Sequence, residues 1–394
     1  MIRRATTALP RRLPALDGLR AIFVVVVMFH HVLWAAPEVA SNWLKGGWTG
    51  LDGFFVLSGF LIGGLLFDEI SRTGRLRYFR FLARRLLRLY PALLVALAAM
   101  ATVSMTADHG VWSHLAPTIW RGISYTMNWA FGHHEAVGLS YTQLWSLAVE
   151  FQFYLALPLL ILVLSKLRFP VWSWAAVLVA VMGLVWWRRV QLWTGPDSFP
   201  LAYVSADTRV DTLLWGVLVA LAIRQAWLGP EHRIALRILA PVAVAWLVWV
   251  TIDVDSRDGF PYRWGLTLSG LAHAIVLAWV VLDGRTVVAK VLGSAPMRWL
   301  GARSYSMYLY HYPLFFYVGQ HLTSLSPDQR VGVAMVGTVP LADLSYRLVE
   351  RPALRLKDRW VQPAAAKATK ATNAATTTTT TTAPPSTSAG QGAT

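Results

Sequence analysis

The sequence has no cysteine. That excludes a disulfide framework, a thiolate metal site and any route that carries an acyl group as an enzyme-bound thioester. Charge is scarce as well. Only 14% of the 394 residues are Asp, Glu, Lys or Arg, against 56% that are hydrophobic, whereas a soluble globular chain is about a quarter charged. With a mean hydropathy of +0.47, the apolar excess must face lipid. Acidic residues are the scarcer sign, 20 against 36 basic, for a net charge of +16. The basic residues fall in short loops between apolar runs, which argues against a nucleic-acid-binding face and for topology signals and anion ligands. No cleavable signal peptide is expected, because the first apolar run follows a basic leader and is succeeded by further spans.

What is present is a series of apolar runs of membrane length, with 20 Trp and 13 Tyr of the kind that collect at membrane interfaces. About ten spans are expected, each near the ~20 residues that a bilayer core requires. They lie at 20–36, 50–67, 89–103, 144–164, 171–187, 212–223, 234–252, 265–282, 305–318 and 331–348. The sixth is expected to begin earlier, near Asp207. The stretch from Asp108 to Tyr141 is too mixed to span and reads as a long outer loop, partly re-entrant. The fold class is therefore all-α, a polytopic integral membrane protein. Lys and Arg collect at 1–12, at Arg72 to Arg88, at Lys166 and Arg168, at Arg224 to Arg237, at Arg285 to Arg298 and after Arg351. The positive-inside rule then puts both termini in the cytoplasm of a plasma-membrane protein. Residues 1–12 form a cytoplasmic basic leader and 13–356 the membrane domain. The Ala/Thr/Pro-rich tail at 362–394 cannot bury enough apolar area to offset its ordering entropy, so disorder is expected there.

Ionisable groups inside such runs are costly and mark function or pairing. Arg20 stands at the mouth of the first run and His31 deep within it. Eleven residues separate them, just over three helical turns, so they share a face within about 20° and lie about 16 Å apart along the axis. His30 falls on a different face. A histidine here can be a packing residue, or a neutral base that takes a proton from an attacking hydroxyl. Asp52 sits among Gly50, Gly53, Gly59, Gly63 and Gly64; close helix packing explains the glycines but not the aspartate. Glu150, amid Leu147, Ala148, Val149 and Phe151, must be paired or protonated. It either neutralises an arginine or orients a catalytic histidine. Arg84 and Arg88, at i and i+4, share a helix face on which two guanidinium forks can clamp phosphates, with Arg85 beside them. They also serve as ordinary positive-inside anchors.

Ordered motifs carry a resemblance. Leu16-Asp17-Gly18-Leu19-Arg20 followed by His31 is succeeded by Leu51-Asp52-Gly53-Phe54-Phe55-Val56-Leu57-Ser58-Gly59-Phe60, then by Arg84-Arg85-Leu86-Leu87-Arg88-Leu89-Tyr90-Pro91. Next come Leu144-Trp145-Ser146-Leu147-Ala148-Val149-Glu150-Phe151-Gln152-Phe153-Tyr154, Ser304-Tyr305-Ser306-Met307-Tyr308-Leu309-Tyr310-His311-Tyr312-Pro313 and Val349-Glu350-Arg351-Pro352. From about Leu13 to Leu356 the chain resembles the acyltransferase 3 family of integral membrane acyltransferases. It departs from the commonest family pattern at Gln143, where a histidine often stands.

The resemblance implies transfer of an acyl group, expected to be acetyl, from acyl-CoA to a hydroxyl of a carbohydrate, glycolipid or small natural product, without a metal and across the membrane. It implies His31 as general base with Glu150 or Asp52 in support, and donor binding by Arg20, Arg84, Arg85 and Arg88. Substrate contacts are expected from Ser58, Trp145, Ser146, Arg209 and His311, although Arg209 can instead pair with Asp211, and Arg20 can simply anchor a helix end or pair with Asp17 or Glu150. Some members carry an extra soluble domain after the spans; a low-complexity tail stands here, so no second module is expected. Membrane lipid is the surrounding partner. The alternative of another class is a transporter or flippase for an anionic or acylated lipid, which predicts two related halves; no convincing internal repeat is found.

Overall fold

Hydrocarbon leaves backbone N–H and C=O groups no partner except one another, so long apolar runs become helices. The computed structural model describes residues 13–40, 44–107 and 112–361. The basic leader at 1–12 and the tail at 362–394 lie outside the described residues. In chain order the helices are α1 (Pro14–His30), α2 (Pro37–Ala40), α3 (Thr49–Thr73), α4 (Tyr78–Ala107), α5 (Trp112–Ile123) and α6 (Met127–Gly132). The central group is α7 (Trp145–Lys166), α8 (Val171–Leu192), α9 (Phe199–Val204), α10 (Ala206–Arg224), α11 (Arg233–Asp253) and α12 (Leu266–Leu282). Finally come α13 (Val287–Leu292), α14 (Ala295–Ala302), α15 (Ser304–His321), α16 (Pro327–Ser345) and α17 (Arg351–Val361).

Each expected span falls on one of the long helices. Seven of them, α1, α3, α4, α7, α8, α11 and α12, are long and apolar enough by themselves to cross a membrane. The helices α10, α15 and α16 carry more polar groups, and α10 tolerates them because it is wrapped by α3, α7, α8 and α12. It begins at Ala206, so Asp207 is inside it, as the sequence led us to expect. The stretch before Trp145 is not a plain loop: α5 and α6 occupy it, followed by a 3₁₀ turn at Leu139–Leu144. This segment is tied down by side chains, since Gln152 of α7 donates to the carbonyl of Tyr125 at 3.0 Å and the Tyr125 ring stacks on Phe151 at 4.3 Å.

Contacts show that the long helices alternate in direction. On α1 and α3, His30 lies beside Gly47, Val26 beside Gly50 and Phe23 beside Gly53, an antiparallel run. Arg237 of α11 reaches Asp283, just past α12, at 2.7 Å; Arg303 before α15 pairs with Asp343 near the end of α16. At the opposite end, Arg330 of α16 donates to Glu38 of α2 at 2.7 Å, and that donor holds the Glu38 carboxyl below its usual range.

Alternation also makes every second span parallel, and among those pairs α3 and α10 meet most extensively. Along α3 and α10 the contacts ascend together: Asp52 with Arg209, Gly59 with Leu213, Gly63 with Val217 and Asp68 with Arg224. The two helices are therefore parallel, as non-sequential spans running the same way must be. Their approach depends on having no side chain in the seam. A Cβ on Gly59 would sit 1.9 Å from the Leu213 carbonyl oxygen, and one on Gly216 would sit 1.9 Å from that of Val56. In lipid, helix association relies on such close packing and not on apolar burial alone. At the head of the seam the fully buried carboxylate of Asp52 accepts from Arg209 Nη2. A second buried pair lies beside it, with Arg189 Nη1 donating to Asp211 at 3.0 Å and to the Thr208 carbonyl at 2.7 Å.

Two outcomes follow from the seam. Gly216→Val forces backbone apart, and thermal unfolding in detergent should show a loss of about 1–3 kcal/mol; an unchanged melting temperature would mean that the seam is loose. Asp52→Leu should cost about 3–5 kcal/mol because it strands a buried guanidinium, and the double variant Asp52→Leu with Arg209→Met should recover much of the loss.

Candidate active site

Arg20 faces inward from α1, Arg85 and Arg88 from α4, Ser58 from α3 and Glu150 from α7, and together they line a cavity of about 110 Å³ at the Arg-rich end of the bundle. Glu150 accepts hydrogen bonds from Ser58 Oγ and Tyr154 OH, and those two hydroxyls are 2.9 Å apart. The Arg85 guanidinium lies over the rings of Phe81 at 5.4 Å and Tyr154 at 5.9 Å, and its buried Nε has no hydrogen-bond partner. Arg20 pairs with Asp17 at 3.2 Å. Three guanidinium groups against one carboxylate give this cavity a net positive lining. The face that α4 presents to it carries Arg85 and Arg88, at i and i+3. Arg84 is absent from the lining, so the expected Arg84 and Arg88 clamp is not the pair that meets the cavity.

A second cavity, of about 600 Å³, opens toward the other end. Its lining is aromatic, including Trp34, Trp48, Trp145 and Tyr203, with Lys45, Asp255 and Arg257 among its charged residues. His30 and His31 both line it. His31 leaves α1 at the start of a 3₁₀ turn, and its Nδ1 is 3.1 Å from Nε2 of His311 on α15. The Tyr312 ring closes on His31 edge-on at a centroid distance of 4.8 Å. Gln143 also lines this cavity; it is buried, yet both its amide oxygen and its amide nitrogen lack a hydrogen-bond partner. Buried amides are normally satisfied, so this one leaves its full bonding capacity open at the cavity wall.

The two cavities share Leu51 and Tyr308 in their linings. Tyr308 is held by donating to the Gln143 carbonyl at 2.7 Å, which leaves its oxygen to accept from Ser146 Oγ. Trp145 and Ser146 straddle the divide, Trp145 on the aromatic side and Ser146 on the basic side.

Several expected members stand elsewhere. Asp52 and Arg209 line neither cavity; Arg209 lies behind the aromatic wall, 5.0 Å from the Tyr203 ring centroid and 5.9 Å from that of Trp145. Arg209 is bonded to Asp52 and not to Asp211, which belongs to Arg189. His311 is fully buried and also outside both linings. Glu150 is not brought to His31: it bonds to Ser58 and Tyr154 in the basic cavity, while the imidazole that meets His31 is His311. Sequence reasoning passed over Tyr154, whose i+4 spacing from Glu150 was a usable signal. It also passed over Leu51, for which nothing local gave a sign.

Comparison with known proteins agrees with this architecture. A family model described as an acyltransferase domain, that of acyltransferase 3, matches residues 13–347. The chain is 30% identical over 368 residues to a peptidoglycan O-acetyltransferase OatA of Listeria monocytogenes, covering 89% of this chain and 57% of that protein. It is 31% identical over 360 residues to an O-acetyltransferase OatA of Staphylococcus aureus, covering 87% and 57%. A putative O-acetyltransferase of Staphylococcus aureus is 28% identical over 366 residues, with the same coverage of 87% and 57%. The chain thus spans just over half the length of the curated relatives it matches. No solved structure matches it. A polytopic helical bundle, the ordered motifs and a family match over nearly all the described residues lead to one assignment: the chain belongs to the acyltransferase 3 family.

Proposed function

We propose that this chain transfers an acyl group, acetyl in the first instance, from acyl-CoA at the basic cavity to a hydroxyl of a carbohydrate-containing acceptor in the aromatic cavity. The observation that carries this reading is the pair of cavities of opposite character with Leu51 and Tyr308 as their common wall. Donor phosphates and the polarised thioester suit three guanidinium groups, which bind oxyanions as charge-assisted forks. The wider cavity offers flat rings for the apolar faces of a sugar and the unsatisfied Gln143 amide for its hydroxyls. Similarity to the Listeria peptidoglycan O-acetyltransferase makes a cell-envelope glycan the first acceptor to try.

In this reading His31 removes the proton of the attacking hydroxyl as its oxygen bonds to the thioester carbonyl carbon. The carbon–sulfur bond then breaks, the ester leaves with the acceptor, and the proton on His31 passes to the departing thiolate. Ser58 and Tyr154 hold the Glu150 carboxylate in place opposite the arginines. The ion pair of Asp52 and Arg209 acts from behind, by holding the aromatic wall. We place the Arg-rich end in the cytoplasm with both termini, since basic loops stay inside. On that orientation the donor enters from the cytosol, the acceptor meets the opposite side of the plasma membrane, and residues 13–356 work as one membrane domain.

Purified chain in liposomes, supplied with labelled acetyl-CoA and glycan fragments, tests this. His31→Ala should lower kcat by about 100-fold or more, the usual worth of a general base. Arg85→Gln or Arg88→Gln should raise the KM for acetyl-CoA by about tenfold, as loss of a hydrogen bond to a charged group does. Gln143→Leu should raise the KM for the acceptor and leave that for the donor unchanged. If no acceptor pool causes acetyl-CoA to be consumed while an anionic lipid crosses the bilayer, the transport reading replaces this one.

A further inference from the structure

The ring of His311 lies on α15 with no exposure to either cavity. Its Nδ1 is 2.8 Å from the Tyr308 carbonyl oxygen and 3.1 Å from that of Met307. Carbonyl oxygens only accept, and a neutral imidazole has one N–H, so that hydrogen must be on Nδ1. The other nitrogen, Nε2, is then a bare acceptor, and it faces His31 Nδ1 at 3.1 Å. Two lone pairs cannot face one another at that distance, so His31 carries its hydrogen on Nδ1. Its own Nε2 is left as the unprotonated nitrogen. Among the described residues no carboxylate is hydrogen-bonded to either ring.

We propose that His311 is a positioning residue that fixes His31 as the Nδ1–H tautomer, so that Nε2 is the basic nitrogen offered to the aromatic cavity. The inference rests on the acyl-transfer reading given above and deepens it. The device is a backbone carbonyl pair, a buried imidazole and a second imidazole in series. Turning the buried ring over would take its Nδ1–H away from both carbonyls and its Nε2 away from His31, and the Phe315 ring, 5.8 Å from it, packs edge-on against it. When His31 takes the hydroxyl proton on Nε2, its Nδ1–H still points at the His311 lone pair, so the positive charge meets an acceptor and no competing proton. The proton then leaves from Nε2 to the thiolate, and the pair returns to its starting state with no net change.

The test uses the full chain in detergent, labelled with ¹⁵N-histidine, and acetyl transfer measured on the same preparations. The unmodified chain should show His31, assigned by its loss in His31→Ala, as one tautomer with Nδ1 protonated and Nε2 bare. His311→Leu removes the imidazole acceptor and leaves the His31 ring only its bond to the Val27 carbonyl; the His31 tautomer should become less uniform, and kcat should fall by about 100-fold to 10,000-fold, the span seen when a catalytic histidine loses its base function or its tautomer control, with the KM for acetyl-CoA unchanged. In His311→Gln the side-chain oxygen can accept from Nδ1, and kcat should return to within about tenfold of the unmodified chain. A spectrum showing His31 protonated on Nε2 in the unmodified chain overturns the inference, and so does His311→Leu with unchanged kcat. A loss of kcat in both variants while the His31 tautomer stays fixed assigns His311 to packing and overturns it too. Failure of the underlying reading looks different: His31→Ala would then transfer acetyl at full rate, whatever tautomer the spectrum reports.

Discussion

The parallel seam between α3 and α10 is the contact on which the other arrangements depend. In hydrocarbon two helices gain little from hiding apolar surface, so close backbone approach must supply the attraction. Gly59 and Gly216 make that approach possible, each backbone lying where the other helix would carry a side chain. The same seam buries the Asp52 carboxylate against Arg209. A carboxylate in that position is tolerable only when paired. Because one edge of α3 is committed to α10, the neighbouring edge, with Leu51, Phe55 and Ser58, is turned toward the basic cavity. The ion pair on α10 in turn lies behind Tyr203 and Trp145, so the aromatic wall has a rigid support.

The bundle thereby separates two environments within one apolar body. Guanidinium groups gather at one end, where a carboxylate restrained by two hydroxyls stands opposite them. Indoles, phenols and imidazoles gather at the other. Between them stand Leu51 and Tyr308, and the phenol is tied to the backbone carbonyl of Gln143 and to Ser146. A satisfied polar network in a low-dielectric interior is rigid, because each group that moved would lose its partner where no water can replace it. The Gln143 amide, by contrast, leaves both its polar atoms open beside that network.

Much of the fold was legible in the sequence because the bilayer imposes a length and a polarity that any sequence must obey. Runs of suitable length fell on the long helices, Asp207 fell inside α10, and the intramembrane Arg20, His31, Asp52 and Glu150 all proved to be bonded or to line a cavity. The region before Trp145 was less legible. Its mixed composition and Pro117 hid α5, which is amphipathic and packs on α4 and α6, and α6 is a six-residue helix held by packing on α7 and α9.

Partnership was the part that the sequence could not decide. Asp52 lies 157 residues from Arg209, Ser58 lies 92 from Glu150, and His31 lies 280 from His311. Local rules placed Arg84 with Arg88 and allowed Glu150 to serve His31; packing turned Arg85 and Arg88 to the cavity and gave His31 an imidazole instead. Spacing along a helix determines which residues share a face, and hydropathy determines which segments enter the membrane. Which face meets which is set by glycine seams and shape complementarity between helices far apart in the chain. The sequence by itself therefore determined a helical membrane protein and which ionisable residues lie within it, whereas the tertiary structure alone decided the two cavities and the partner of each charge.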